Sequence, residues 1–204
     1  MADTYVGKPI GARSLTWFPM TEDPDTGAPT YGEAVKLSRL INIVPTPVFS
    51  EGTLESDDTT EDQDSKLVAY DVTINASQLT DAIRATLLGH AIDEGAGLLM
   101  KSSDTAQEGA LAWKELLSGP GETEKFKYVV LYKGKFKEFA ETANTLTSSG
   151  LTYQTHNLTG RFYARNDGAV RYQMRDDSPS VNTTKTGAWF ESPQEYTPKT
   201  EPGG

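Results

Sequence analysis

The chain has 204 residues, a net charge of −10, a pI of about 4.7, 36% hydrophobic residues and no cysteine. That length predicts one domain with its own core, and the low apolar share predicts long polar loops or tails attached to it. The acidic balance argues against nucleic acid or an anionic membrane as a partner, and the missing cysteines exclude disulfides, thiolate catalysis and cysteine-based zinc sites.

Residues 1–33 are rich in Gly, Pro and Thr, and Ser14–Met20 predicts a short strand carrying Leu15 and Trp17. Asp23-Pro24-Asp25-Thr26-Gly27 is turn chemistry, because proline presets φ and glycine supplies a positive φ. Ala34–Val44 reads as a strand with Val35, Leu37, Ile41 and Ile43 inward and a register break near Arg39, closed by Pro45 and Pro47.

Residues 48–65 form the most biased stretch. Seven carboxylates (Glu51, Glu55, Asp57, Asp58, Glu61, Asp62, Asp64) precede Lys66 with no basic residue among them. The expectation is a long acidic loop, either solvated or partner-binding. A calcium loop fits poorly, since Asp58–Asp64 supplies oxygens but no glycine for the tight turn.

Lys66–His90 is the stretch around which the rest is arranged. Val68, Tyr70, Val72 and Ile74 alternate as one face of a strand. Leu79, Ile83 and Leu87 then follow at helical spacing, with Asp81 and Arg84 placed outside. Asn75 and Gln78 suggest a capping box, with Ser77 and Thr80 as rival caps, and Gly89 suits the helix end. A helix this short must dock on a sheet to persist.

Farther on, Asp93–Gly97 predicts a turn and Leu98–Met100 a short strand. Ala110–Leu117 fits helix or strand and is assigned as a strand, because a turn (Ser118–Gly121) and the strand Lys125–Lys133 follow. In that last strand Phe126, Tyr128, Val130 and Tyr132 share one face and Val129 and Leu131 the other, which predicts cover on both sides. Leu151–Arg165 and Ala169–Arg175 read as a hairpin across Asn166-Asp167-Gly168. From Asp176 the chain reads as an extended arm anchored only by Trp189 and Phe190.

Nothing in this pattern predicts an enzyme or a cofactor. His90 and His156 lack partners at metal spacing, and His90 sits where an imidazole caps the last helix carbonyls. Adjacent Asp176 and Asp177 point apart on an extended chain and read as solvated. Lys125, Lys127, Lys133, Lys135 and Lys137 read as edge protection or contacts to an acidic partner rather than a DNA stripe. No apolar run approaches the ~20 residues a membrane helix needs, and the first residues carry no signal-peptide pattern, so synthesis in a cytoplasm is expected. The sequons at Asn75, Asn157 and Asn182 are therefore expected to stay unmodified.

Four blocks resemble the major tail protein family of long-tailed, non-contractile bacteriophages. They are Val6-Gly7 through Thr30-Tyr31-Gly32 to Val35-Lys36-Leu37; Leu87-Leu88-Gly89-His90 with Asp93; Tyr128 through Phe136; and Leu158-Thr159-Gly160-Arg161-Phe162 with Asp167-Gly168 and Tyr172. The resemblance implies a mainly β fold, a β-sandwich or partly closed barrel with one short flanking helix, over residues 1–177 including an extended N-terminal arm; residues 178–204 have no counterpart in it and are read from composition as the extended C-terminal arm. It also implies a virion structural subunit. Hexameric rings would stack into a tube around a tape-measure protein, meet tail-tip and terminator proteins, and carry DNA in transit. The acidic loop would then cross between rings and meet the five lysines, and the arm would pack on a neighbour. The alternative expectation is an adhesin-like β-sandwich binding module of a phage or bacterium.

Overall fold

The computed structural model describes residues 7–37, 39–56, 59–119, 123–141 and 155–198, with the backbone alone for 53–56 and 59–63. The chain opens with β1 (Pro9–Glu22), β2 (Thr30–Tyr31), β3 (Val35–Lys36), β4 (Leu40–Ser56) and β5 (Thr59–Ala76). Helix α1 (Asp81–Leu88), the small β6 (Ala91–Ile92) and β7 (Leu98–Leu99), β8 (Gly109–Leu117) and β9 (Lys125–Phe136) follow. β10 (His156–Tyr163), β11 (Arg171–Arg175) and the short helix α2 (Thr183–Gly187) complete it.

The fold is mainly β. A 9-stranded antiparallel sheet runs β2-β1-β8-β9-β10-β5-β4, with β3 also on β1 and β11 also on β9. β3 and β4 lie at opposite ends of that order, yet only residues 37–39 join them. From Lys36 to Leu40 so short a link spans about 14 Å at most, so the sheet curls until its ends approach. Leu37 N donates to Leu15 O at 3.0 Å on one side of the seam, and Ser77 N to Arg39 O at 3.0 Å on the other. No ladder spans the seam among the described residues, so the barrel does not close.

The concave face holds the main core. Trp17, Phe136 and Phe162 form its aromatic centre, with centroids 5.3–6.3 Å apart. Val72, Ile74, Leu111, Val129, Leu131 and Leu158 surround it. Gly134 is required here, because a Cβ would lie 2.4 Å from the Phe162 ring. Leu79, Leu87 and Leu88 of the α1 region are buried in this core, and Ile83 is half-buried against it. Thr80 caps the helix, accepting from Ile83 N at 3.3 Å, so among the rivals the hydroxyl and not the Asn75–Gln78 box starts it. Gly89, at φ 76°, ends it as expected.

The opposite face carries a second cluster of Phe18, Ala110, Ala112, Val130, Tyr132 and Trp189. The expectation of two covered faces for β9 therefore holds, and the cover on this face comes from the C-terminal segment. Ala110 and Ala112 lie flat enough to leave room for the indole. Trp189 is fully buried, stacks on Tyr172 at 5.6 Å and donates Nε1–H to Val129 O at 3.3 Å. Far from being an extended arm, residues 178–198 pack on their own chain through α2, Trp189 and Gln194, whose carbonyl accepts from Tyr132 Oη at 2.7 Å. An indole and a phenyl ring nearby in the same chain offered burial without waiting for a neighbour.

Three further expectations are corrected. The Asn166–Gly168 turn forms, with Gly168 N donating to Arg165 O at 2.9 Å, but it does not join a hairpin. β10 pairs with β9 at Lys133–Phe136 and β11 with β9 at Lys127–Leu131, so the two strands lie in line and the turn is an excursion between them. Residues 151–154 of that expected strand lie outside the described residues. Pro45 and Pro47 do not close a strand: β4 runs through both. Two residues apart, they aim their missing donors at one side, and on an edge strand that side needs no donor. Asp176 and Asp177 are not merely solvated. Asp176 Oδ1 accepts from Phe126 N at 2.5 Å, and Asp177 holds Arg175 at 2.7 Å and Gly7 N at 3.1 Å, tying the start of the chain to β11.

Candidate assembly surface and its supports

The acidic stretch is not a loop. β4 and β5 pair without interruption of the ladder's direction from Leu40↔Ala76 to Ser56↔Thr59, so residues 48–56 and 59–65 form the outer part of one long antiparallel pair. β10 covers β5 only from Ala69 to Ala76. Beyond Ala69 the hairpin leaves the sheet as a two-stranded arm, about 30 Å long at ~3.3 Å per residue. Its outer edge, β4, is unpaired among the described residues.

Bulges mark where the arm bends. The register shifts at Leu40/Asn42, Val48/Phe49 and Leu54/Glu55 leave Ile41, Val68 and Glu61 as extra residues. Ile41 and Val68 are exposed for this reason, 55% and 45% respectively, although alternation placed both inward. Glu51 and Asp64 are exposed on the arm. Glu55, Glu61 and Asp62 lie where only the backbone is described, and Asp57 and Asp58 lie outside the described residues.

Of the five lysines expected to receive this arm, three are already engaged. Lys127 pairs with Glu115 at 3.1 Å, Lys133 with Asp23 at 2.7 Å, and Lys135 with Glu108 at 3.3 Å. Each sits on β9, whose neighbours bring an acid within reach, a pairing that strand periodicity alone does not reveal. Lys125 and Lys137 are exposed and carry no ion pair among the described residues.

Two buried cationic centres were not visible in the sequence. Arg165, with its side chain 2% exposed, forks onto Asp167 (2.6 Å) and Glu195 (2.7 and 2.9 Å) and lies 4.0 Å over the Tyr132 ring. Burial would lower its pKa, but the bonds to Glu195 and Asp167 raise it, so the charge is permanent. It joins the turn, β9 and the C-terminal segment. Asn166 adds the early turn, donating N–H to Asp23 at 3.2 Å.

The second centre supports α1. Arg84, expected outside, is buried and bonds Glu138 at 2.8 Å and Glu141, with Phe139 4.7 Å below its guanidinium. His90 does not cap helix carbonyls. Its Nδ1 meets Asp104 and its Nε2 meets Glu138, both at 2.8 Å. Two carboxylates on two ring nitrogens require the imidazolium, because neutral histidine has one donor. Burial alone would lower the His90 pKa, but the bonds to Asp104 and Glu138 raise it. A raised folded pKa contributes stability in full below the ordinary value of ~6.5, and that contribution fades as pH rises through the folded value. Urea midpoints should therefore fall as pH rises above the ordinary histidine value of ~6.5, and His90→Gln should flatten that fall. An unchanged slope in the variant would refute this role.

Among the described residues no cluster of three or more His, Cys, Asp or Glu side chains could hold a metal ion, and no helix is long and apolar enough to cross a membrane. No protein-family model and no curated protein matches the chain.

Proposed function

We propose that the chain is the structural subunit of a bacteriophage tail tube, assembling as hexameric rings that stack into the channel for DNA. The observation that carries this reading is the hairpin arm. A two-stranded ribbon is marginal alone in water. This one also concentrates seven of the chain's 29 acidic residues and, among the described residues, leaves an edge strand open. A monomer gains nothing from such an arm, whereas an assembly gains a repeated cross-subunit contact. The curled sheet with one docked helix supports a tail-tube form of the β-sandwich expected from the resemblance. Its partners are then further copies of itself, a tape-measure protein in the lumen, and tail-tip and terminator proteins, in a virion made in a host cytoplasm. An acidic wall lets a polyanion slide rather than stick.

Replacing residues 51–64 with a short Gly-Ser linker tests this. The variant should keep its fold, because β5 pairs with β10 and packs on the core only from Ala69 onward. It should remain unassembled in negative-stain images, while the parent forms rings or tubes. Tubes of normal length from the shortened chain would sink the proposal, and a parent that stays monodisperse and absent from purified tails would favour the adhesin-like module.

A further inference from the structure

The curled sheet leaves a cleft at its seam, and we propose that this cleft receives the acidic hairpin arm of a second copy. The inference rests on the arm being an assembly element and names the surface that binds it.

The cleft follows from local backbone. β1 breaks its register with β8 between Arg13 and Thr16, where Ser14 adopts φ 59°. β3 is only two residues long, and the chain crosses at once to β4. The seam is left unpaired as a cleft of about 350 Å³. Leu15, Leu37, Leu40 and Phe190 supply apolar walls, and Lys36 and Arg39 stand at it. Phe190 reaches the cleft next to the docked Trp189, the two rings lying 6.2 and 5.5 Å from that of Tyr128.

Charge identifies the occupant. Lys36 and Arg39 are exposed and make no ion pair among the described residues, unlike Lys127, Lys133 and Lys135. None of the residues that line the cleft is acidic, so its lining is cationic and apolar on an acidic chain. The arm is its complement: Glu51 and Asp64 are exposed on neighbouring rungs, with Gly52 opposite Asp64, and Phe49 is 51% exposed beside them. An arm about 30 Å long reaches well past its own subunit. The seam lies at the base of that same hairpin, so each copy would give an arm and receive one. Contacts of this head-to-tail kind close into rings or extend into tubes.

The absence of native cysteine makes a crosslinking test clean. One copy carries Gly52→Cys and the other Leu40→Cys; a control copy carries Gly187→Cys, on α2. Under mild oxidation the Gly52/Leu40 mixture should give at least about tenfold more disulfide dimer than the Gly52/Gly187 mixture. Adding Lys36→Glu and Arg39→Glu to the receiving copy should cut that yield, and self-association by sedimentation velocity, roughly tenfold. Adding Glu51→Lys and Asp64→Lys to the donor should restore part of it. Equal yields from the two mixtures, or charge reversal without effect while deletion of residues 51–64 still abolishes assembly, would overturn the cleft as receptor and leave the arm standing. Normal assembly after that deletion would overturn the arm itself.

Discussion

Trp189→Ala should lower the stability of the chain by about 3–5 kcal/mol, the cost of emptying a fully enclosed aromatic site. The site cannot collapse easily. Ala110 and Ala112 of the same cluster carry only fixed methyls that cannot swing into the space, and Tyr128 and Tyr172 flank the indole at 5.5 and 5.6 Å. The indole also satisfies Val129 O at 3.3 Å, so truncation exposes β9 to water on a face that is otherwise dry. Residues 178–198 should then detach, which hydrogen exchange would report as lost protection at Thr186, Ala188, Glu191 and Ser192, whose amides are hydrogen-bonded in the parent. Trp189→Phe should keep most of the packing and lose the hydrogen bond, costing roughly 1–2 kcal/mol. Equal urea midpoints for the parent and the alanine variant would show that the segment does not hold the sheet.

What the sequence revealed and what it hid divide along local versus non-local physics. β9 was legible because its two faces are apolar over Val129–Tyr132, and α1 because Leu79, Leu87 and Gly89 sit at helix spacing with a helix stop. The hairpin arm was not. Acidic, threonine-rich strands lack the alternation that marks a half-buried face, and Pro45 and Pro47 act as breakers anywhere except an edge. Whether a strand is an edge is a property of the sheet order, which no single segment contains. The in-line placement of β10 and β11 was hidden for the same reason: Asn166-Asp167-Gly168 announces a turn but not what the turn connects. The partners of Lys127, Lys133 and Lys135 were hidden because their acids come from β8 (Glu115), from the loop after β1 (Asp23) and from the connection just before β8 (Glu108). Arg165 and His90 were missed as organising groups because their burial depends on partners distant in the chain, Glu195 for one and Glu138 for the other.

Arg165→Met is the sharpest probe of those hidden partners. Removing one member of a buried ion pair costs about 3–5 kcal/mol when the other charge stays buried. Here Asp167 and Glu195 keep side-chain exposures of 45% and 46%, so water can take over much of their solvation. The expected loss is therefore nearer about 2–3 kcal/mol, and methionine fills most of the volume over the Tyr132 ring. Arg165→Lys keeps the charge but not the fork, since one ammonium cannot match the two parallel bonds to Glu195 at 2.7 and 2.9 Å. It should fall between the parent and the methionine variant. The decisive measurement is a double-mutant cycle with Trp189→Ala. Both residues pin the same C-terminal segment to β9, one through the Glu195 carboxylate and one through the indole. Once either is lost and the segment detaches, removing the other should cost much less than it does alone, leaving a coupling of about 1–3 kcal/mol. Additive losses would mean that the segment is held at two independent points, and that the Arg165 centre organises the Asn166–Gly168 turn without reaching the tail.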